Sequence, residues 1–92
     1  MDGGMLLSRD ATIVNQRGLH ARAAAKFVRT AEVFGCRVEV TRDDQTVVGT
    51  SILGLMLLGA GPGVVLTLRA QGEDAEMALA TLGELIDRGF DE

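Results

Sequence analysis

Tryptophan and tyrosine are absent from this 92-residue chain, and cysteine, histidine and proline occur once each. Losing both aromatics removes most of the stacking platforms that bases use. The single cysteine, Cys36, excludes an internal disulfide, and one cysteine with one histidine cannot make the usual structural zinc site. Excess positive charge is also missing. A formal net charge of −4 argues against a general nucleic-acid binder, which carries a basic footprint. No apolar run is long enough to span a bilayer, since the stretch from Ile52 to Leu58 is short and broken by glycine. No positively charged leader precedes an apolar segment at the start. The expectation is a soluble, cytoplasmic protein with no metal or cofactor and neither nucleic acid nor membrane as partner.

What remains is apolar and modest in size. Hydrophobic residues make up 47% of the chain, enough for one core in a single domain over residues 1–92. A domain this small has little room for a deep enclosed site, so chemistry is expected at the surface. Charge is unevenly placed along the chain. Between Asp10 and Glu32 every charged residue is basic, namely Arg17, Arg22, Lys26 and Arg29, whereas from Glu73 to Glu92 only Arg88 interrupts the acids. A cationic region on an acidic chain suits a small anion or an acidic protein patch.

Periodicity predicts the elements. Residues 1–5 read as a loose terminus, and Arg9 to Val14 as a first strand leading into an Asn15–Gly18 loop. From Ala21 to Phe34 the residues Ala24, Phe27, Val28 and Ala31 form one helical stripe, with Arg22, Lys26 and Arg29 opposite and Gly35 as the stop. Cys36, Val38 and Val40 alternate with polar residues as a strand, with Cys36 in the core and assigned no chemistry; Thr46 to Val48 returns alongside. Thr50 or Ser51 caps a short helix over Ile52 to Leu58. Val64 to Ala70 is a strand, and Ala75, Ala78, Leu79, Leu82 and Ile86 mark a last helix ended by Gly89. The order is β-α-β-β-α-β-α. Short links favour antiparallel pairing of the middle strands, and the simplest architecture is a four-stranded sheet with all three helices on one face, its strand order left open by periodicity.

His20 stands at the start of the first helix, where backbone N–H groups lack intrahelical partners and the dipole favours negative charge. Neutral imidazole is a competent nucleophile, and Arg22 offers a charge-assisted contact two residues on. The alternative is that His20 only caps the helix and the cations form a solvated face. A hydrolase built on Ser51, His20 and an aspartate lacks the expected nucleophile elbow.

Gly18-Leu19-His20-Ala21-Arg22-Ala23-Ala24, continuing through Phe27 and Val28, resembles the active-site signature of HPr, the histidine phosphocarrier family of the bacterial phosphoenolpyruvate-dependent phosphotransferase system (PTS). Thr50-Ser51-Ile52-Leu53-Gly54-Leu55-Met56 resembles the family's serine segment, at the usual separation from the histidine, and Gly72-Glu73-Asp74-Ala75 is also similar. The resemblance runs from about Arg9 onward. It implies an α+β open-faced β-sandwich. It implies a monomeric, stoichiometric carrier, in which His20 is phosphorylated on Nδ1 (pros-phosphohistidine) by phospho-enzyme I and then donates to a IIA protein or domain. Arg22 matches the phosphate-stabilising arginine. Ile52, Leu53 and Met56 match an apolar docking patch, with Arg17 beside it, while Leu55 and Leu58 face inward. Ser51 matches the serine that HPr kinase/phosphorylase modifies in some members; the plainer reading is a helix cap. A regulatory paralogue of a nitrogen-type PTS is the alternative carrier, toward which Asn15 and the alanine-rich helix start lean.

Two positions depart from the family. Leu57 stands where many relatives have a small polar residue, and Ala23 where proline is usual. Proline suits a first helical turn and restricts the unfolded chain. Ala23→Pro is therefore expected to stabilise the domain by ~0.4–1 kcal/mol, read from the urea midpoint; a lower midpoint would mean that the helix starts with a different geometry.

Overall fold

Alternating burial along the strands divides the protein into an apolar layer and a polar face. The computed structural model describes residues 6–92, so the loose terminus expected over residues 1–5 lies outside the described residues. The elements are β1 (Leu6–Thr12), α1 (Ala21–Ala31), β2 (Cys36–Arg42), β3 (Gln45–Val48), α2 (Ile52–Leu57), β4 (Val65–Gly72) and α3 (Ala75–Asp87), followed by a 3-10 turn over Gly89–Asp91. The strands form one four-stranded antiparallel sheet in the order β1-β4-β2-β3. Ala11, Leu66, Leu68, Ala70, Val38 and Val40 point into the core, and registers such as Ala11↔Leu66, Val40↔Leu68 and Val38↔Ala70 set them side by side. The intervening residues make polar contacts on the other face, including Thr67 Oγ1 to Asp10 Oδ1 at 2.9 Å.

Each helix lays an apolar stripe on that core. In α1 it is Ala23, Ala24, Phe27, Val28 and Ala31; in α3 it is Ala75, Ala78, Leu79, Leu82, Leu85 and Ile86. Within the short α2 only Leu55 is buried, with Leu58 following at its C-cap. Ser51, rather than Thr50, is the cap, accepting from the Gly54 amide at 3.0 Å. The order and sheet are those the sequence predicts; several boundaries differ. β1 runs earlier than Arg9–Val14, because Leu6 and Leu7 pair with Gln71 and Ala70, while Val14 is exposed beyond the strand. Arg9 lies on the inner side of β1, where its guanidinium spans the end of α3 to Asp87 at 3.2 Å.

α1 stops at Ala31 rather than Phe34, and Gly35 is not its C′ residue. The amides of Val33 and Phe34 turn back to Thr30 and Ala31, tightening the last turn, and the Gly35 amide is drawn off to Asp74 Oδ2 at 2.8 Å. Cys36 is half-buried at the margin of the core, not within it. Burial first and the Asp74 carboxylate second push its thiol pKa up, which keeps it a thiol at neutral pH.

Because Leu55 is the one α2 side chain fully inside, it ties that helix to the domain. Leu55→Ala should cost ~2–5 kcal/mol of stability in urea unfolding. A change below that range would show that α2 is held by its caps instead.

Candidate functional site

The loop before α1 is pinned on both sides. The Ile13 amide donates to Val64 O at 2.9 Å, the Gly63 amide to Ile13 O at 2.8 Å, and the Leu19 amide to Ala60 O at 2.9 Å. Gly18 sits at φ +66° with its Cα against the neighbouring loop, where a Cβ would lie 2.3 Å from Ala60 O. Only glycine fits both the left-handed backbone and that approach. Leu19 is then buried and His20 follows as the N-cap of α1, in extended backbone with φ −76° and ψ 179°.

The imidazole is held by both nitrogens. Nδ1 accepts from the Arg22 backbone amide at 3.2 Å, and Nε2 is bonded to Glu92 Oε2. The ring expected at an exposed position is therefore mostly covered: its side chain is 16% exposed, and that of Glu92 is 23% exposed. Glu92 reaches it because the chain reverses after α3. Gly89, Phe90 and Asp91 have φ values of +68°, +57° and +63°, Phe90 is fully buried, and the Lys26 ammonium donates to Phe90 O at 2.7 Å. Lys26 thus anchors this segment instead of joining a free cationic face.

Behind the carboxylate is Asn15, a buried polar side chain. Its Nδ2 donates to Gly18 O at 2.8 Å and to Glu92 Oε1 at 3.0 Å, and its own buried Oδ1 has no partner among the described residues. Asn15 and Glu92 belong to the site and were not identified as such from the chain. Asn15 could have been suspected as a polar loop residue lying between the buried apolar positions Ile13 and Leu19; the Glu92 contact spans 72 positions and leaves no local signal.

Arg22 and Arg17 are exposed, and the contact Arg22 makes with the ring is through its amide rather than its guanidinium. Ser51 bonds Gly54 of its own helix, so no Ser–His pair of hydrolase type forms. Ile52, Leu53 and Met56 are 42%, 68% and 40% exposed, and Leu57 adds to them at 70%. These side chains share an apolar surface on α2, which packs against α1. Among the described residues no group of three or more His, Cys, Asp or Glu side chains is placed to hold a metal, and no helix is long and apolar enough to cross a membrane.

An open-faced β-sandwich carrying one histidine at the cap of its first helix defines the class of small histidine phosphocarriers. Residues 7–88 match the family PTS-HPr, described as the PTS HPr component phosphorylation site. This chain belongs to that family and is an HPr-type phosphocarrier of the PTS. It is 49% identical over 84 residues to the phosphocarrier protein HPr of Pseudomonas aeruginosa, covering 90% of this chain and 93% of the relative. It is also 40% identical over 86 residues to the phosphocarrier protein NPr of Shewanella violacea, covering 94% of each. The crystal structure of HPr-C-His from Thermoanaerobacter tengcongensis superposes with a TM-score of 0.89 at 42% identity, covering 94% of this chain and 97% of that one.

The bonds from His20 first, and from Asn15 second, lower the pKa of the Glu92 carboxyl below its usual 4.5, with Arg17 adding to the effect. A lowered folded value means that the carboxylate's contribution to docking is complete above pH 4.5 and is lost as pH falls through the lowered midpoint. A carbon-detected NMR titration of the Glu92 carboxyl should give a midpoint below 4.5, and one at or above 4.5 would mean that these bonds do not form in solution.

Proposed function

We propose that this chain accepts a phosphoryl group from phospho-enzyme I on His20 Nδ1 and donates it to a IIA protein or domain. The observation that carries this reading is the position of Nδ1, facing the first turn of α1 with its lone pair toward Arg22 N–H. In the transfer that lone pair forms a bond to phosphorus as the bond to the donor breaks. The Arg22 amide, freed from Nδ1, then has a phosphoryl oxygen to bond, and the helix dipole favours the added charge. The exposed guanidinium groups of Arg22 and Arg17 supply cations at the rim. Onward transfer runs the same steps in reverse, so the chain acts as a stoichiometric carrier and does not turn over alone.

The apolar group Ile52, Leu53 and Met56, extended by Leu57, is the docking surface in this reading. Methionine and leucine adapt to more than one partner. Ser51 serves as cap, and phosphorylation there by HPr kinase/phosphorylase would add roughly −1.5 to −2 charge beside that surface. Residues 1–92 act as one domain, monomeric and cytoplasmic. The second reading is a regulatory paralogue of a nitrogen-type PTS, for which the relatives include a protein named NPr at 40% identity beside one named HPr at 49%.

Incubation with phosphoenolpyruvate and enzyme I, followed by intact-mass analysis, should show one added phosphate that is acid-labile and base-stable. His20→Ala should take none. Phosphate persisting in that variant would move the acceptor to another residue, and comparing the enzyme I proteins of the sugar and nitrogen branches as donors separates the two readings.

A further inference from the structure

We infer that Glu92 is a positioning residue that fixes the tautomer of His20, with Asn15 fixing Glu92 in turn. The inference rests on the carrier reading above for its purpose, but its physical content is separate.

The two ring nitrogens face groups of opposite character. A backbone N–H can only donate, so Nδ1, which bonds the Arg22 amide, must present a lone pair. An ionised carboxylate can only accept, so Nε2, which bonds Glu92, must carry the hydrogen. Both contacts select the same neutral tautomer, with hydrogen on Nε2 and Nδ1 bare. The orientation of the carboxylate is itself determined. Asn15 Nδ2 has two hydrogens, one on Gly18 O and the other on Glu92 Oε1, so Glu92 Oε2 is the oxygen left for the ring. Asn15 Oδ1 is buried with no partner among the described residues, which is unfavourable, yet this orientation is the one that supplies both donors.

Glu92 occupies the edge of the ring away from Nδ1, so it can remain in place throughout transfer. When Nδ1 bonds phosphorus, the ring becomes an imidazolium that keeps its hydrogen on Nε2, facing a carboxylate that balances the new charge. When the phosphoryl group leaves, the electron pair of the N–P bond returns to Nδ1. No proton need enter or leave the site in either direction.

Glu92→Gln tests this because Asn15 Nδ2 still requires an acceptor. The oxygen of the substituted amide would satisfy it, which turns the amide NH2 toward Nε2 and demands a lone pair there. The hydrogen is then displaced to Nδ1. Imidazole 15N shifts of the neutral ring should report hydrogen on Nε2 in the native chain and a shift toward Nδ1–H in Glu92→Gln; Glu92→Ala should give a mixture. Phosphoryl transfer from enzyme I should slow by roughly tenfold or more in Glu92→Gln, through kcat and not KM, since the lost contact is to a partner of the ring. Identical 15N patterns in the native chain and Glu92→Gln would overturn the inference, as would an unchanged kcat. Failure of the native chain to take phosphate would overturn the carrier reading instead, since the nitrogen shifts are measured without any phosphoryl donor.

Discussion

A ring with two nitrogens, one against an amide donor and the other against a carboxylate, is the interaction on which the rest of this structure depends. The amide is available because α1 begins at Ala21, so the first-turn N–H groups have no carbonyl four residues back. The carboxylate is available because three successive residues after α3 adopt left-handed backbone and return Glu92 to the start of the first helix. The amide contact is local, two residues along the chain, but the carboxylate contact spans 72 positions. His20 is therefore placed by the whole fold, although it sits on a loop.

The supporting interactions explain how such a backbone is tolerated. Left-handed conformations at Phe90 and Asp91 are unfavourable for residues with a Cβ. Full burial of the Phe90 ring, the Lys26 bond to its carbonyl and the Arg88–Asp91 pair at 2.9 Å offset that cost. On the other side, Gly18 lets the loop approach Ala60 closely enough for the Leu19 amide to bond its carbonyl. The sheet layer, by contrast, is conventional in its energetics, with apolar residues in register on one face and hydroxyl and charged pairs on the other. Rigid strands carry the site, while polar turns set its chemistry.

Much of this was legible in the chain. The α1 stripe Ala24, Phe27, Val28 and Ala31 and the α3 stripe around Leu79 and Leu82 are buried as their spacing requires, because helical periodicity reports directly on which side meets a core. The inward turn of Leu55 and Leu58 came from the family resemblance rather than from spacing, which in so short a helix does not single out one face. Boundaries were less so. The end of α1 depends on Asp74, 39 positions after Gly35, capturing an amide that a local reading assigns to a helix stop. Cys36 is the first residue of β2, beside Gly72, where the core thins, and alternation alone does not show where a layer ends.

Local pattern by itself determined the elements, their order and the position of His20 at a helix start, because those follow from side-chain period and backbone valence over a few residues. Which groups meet the ring was decided only when the chain closed. Arg22, two residues away, contributes its amide and not the guanidinium its type suggested, and Lys26 ties down Phe90. Glu92 arrives from 72 positions away, on a segment whose course is set by the burial of one phenylalanine. Hydrogen bonds of that kind depend on angles and ångströms between distant elements, and no spacing along a chain encodes them.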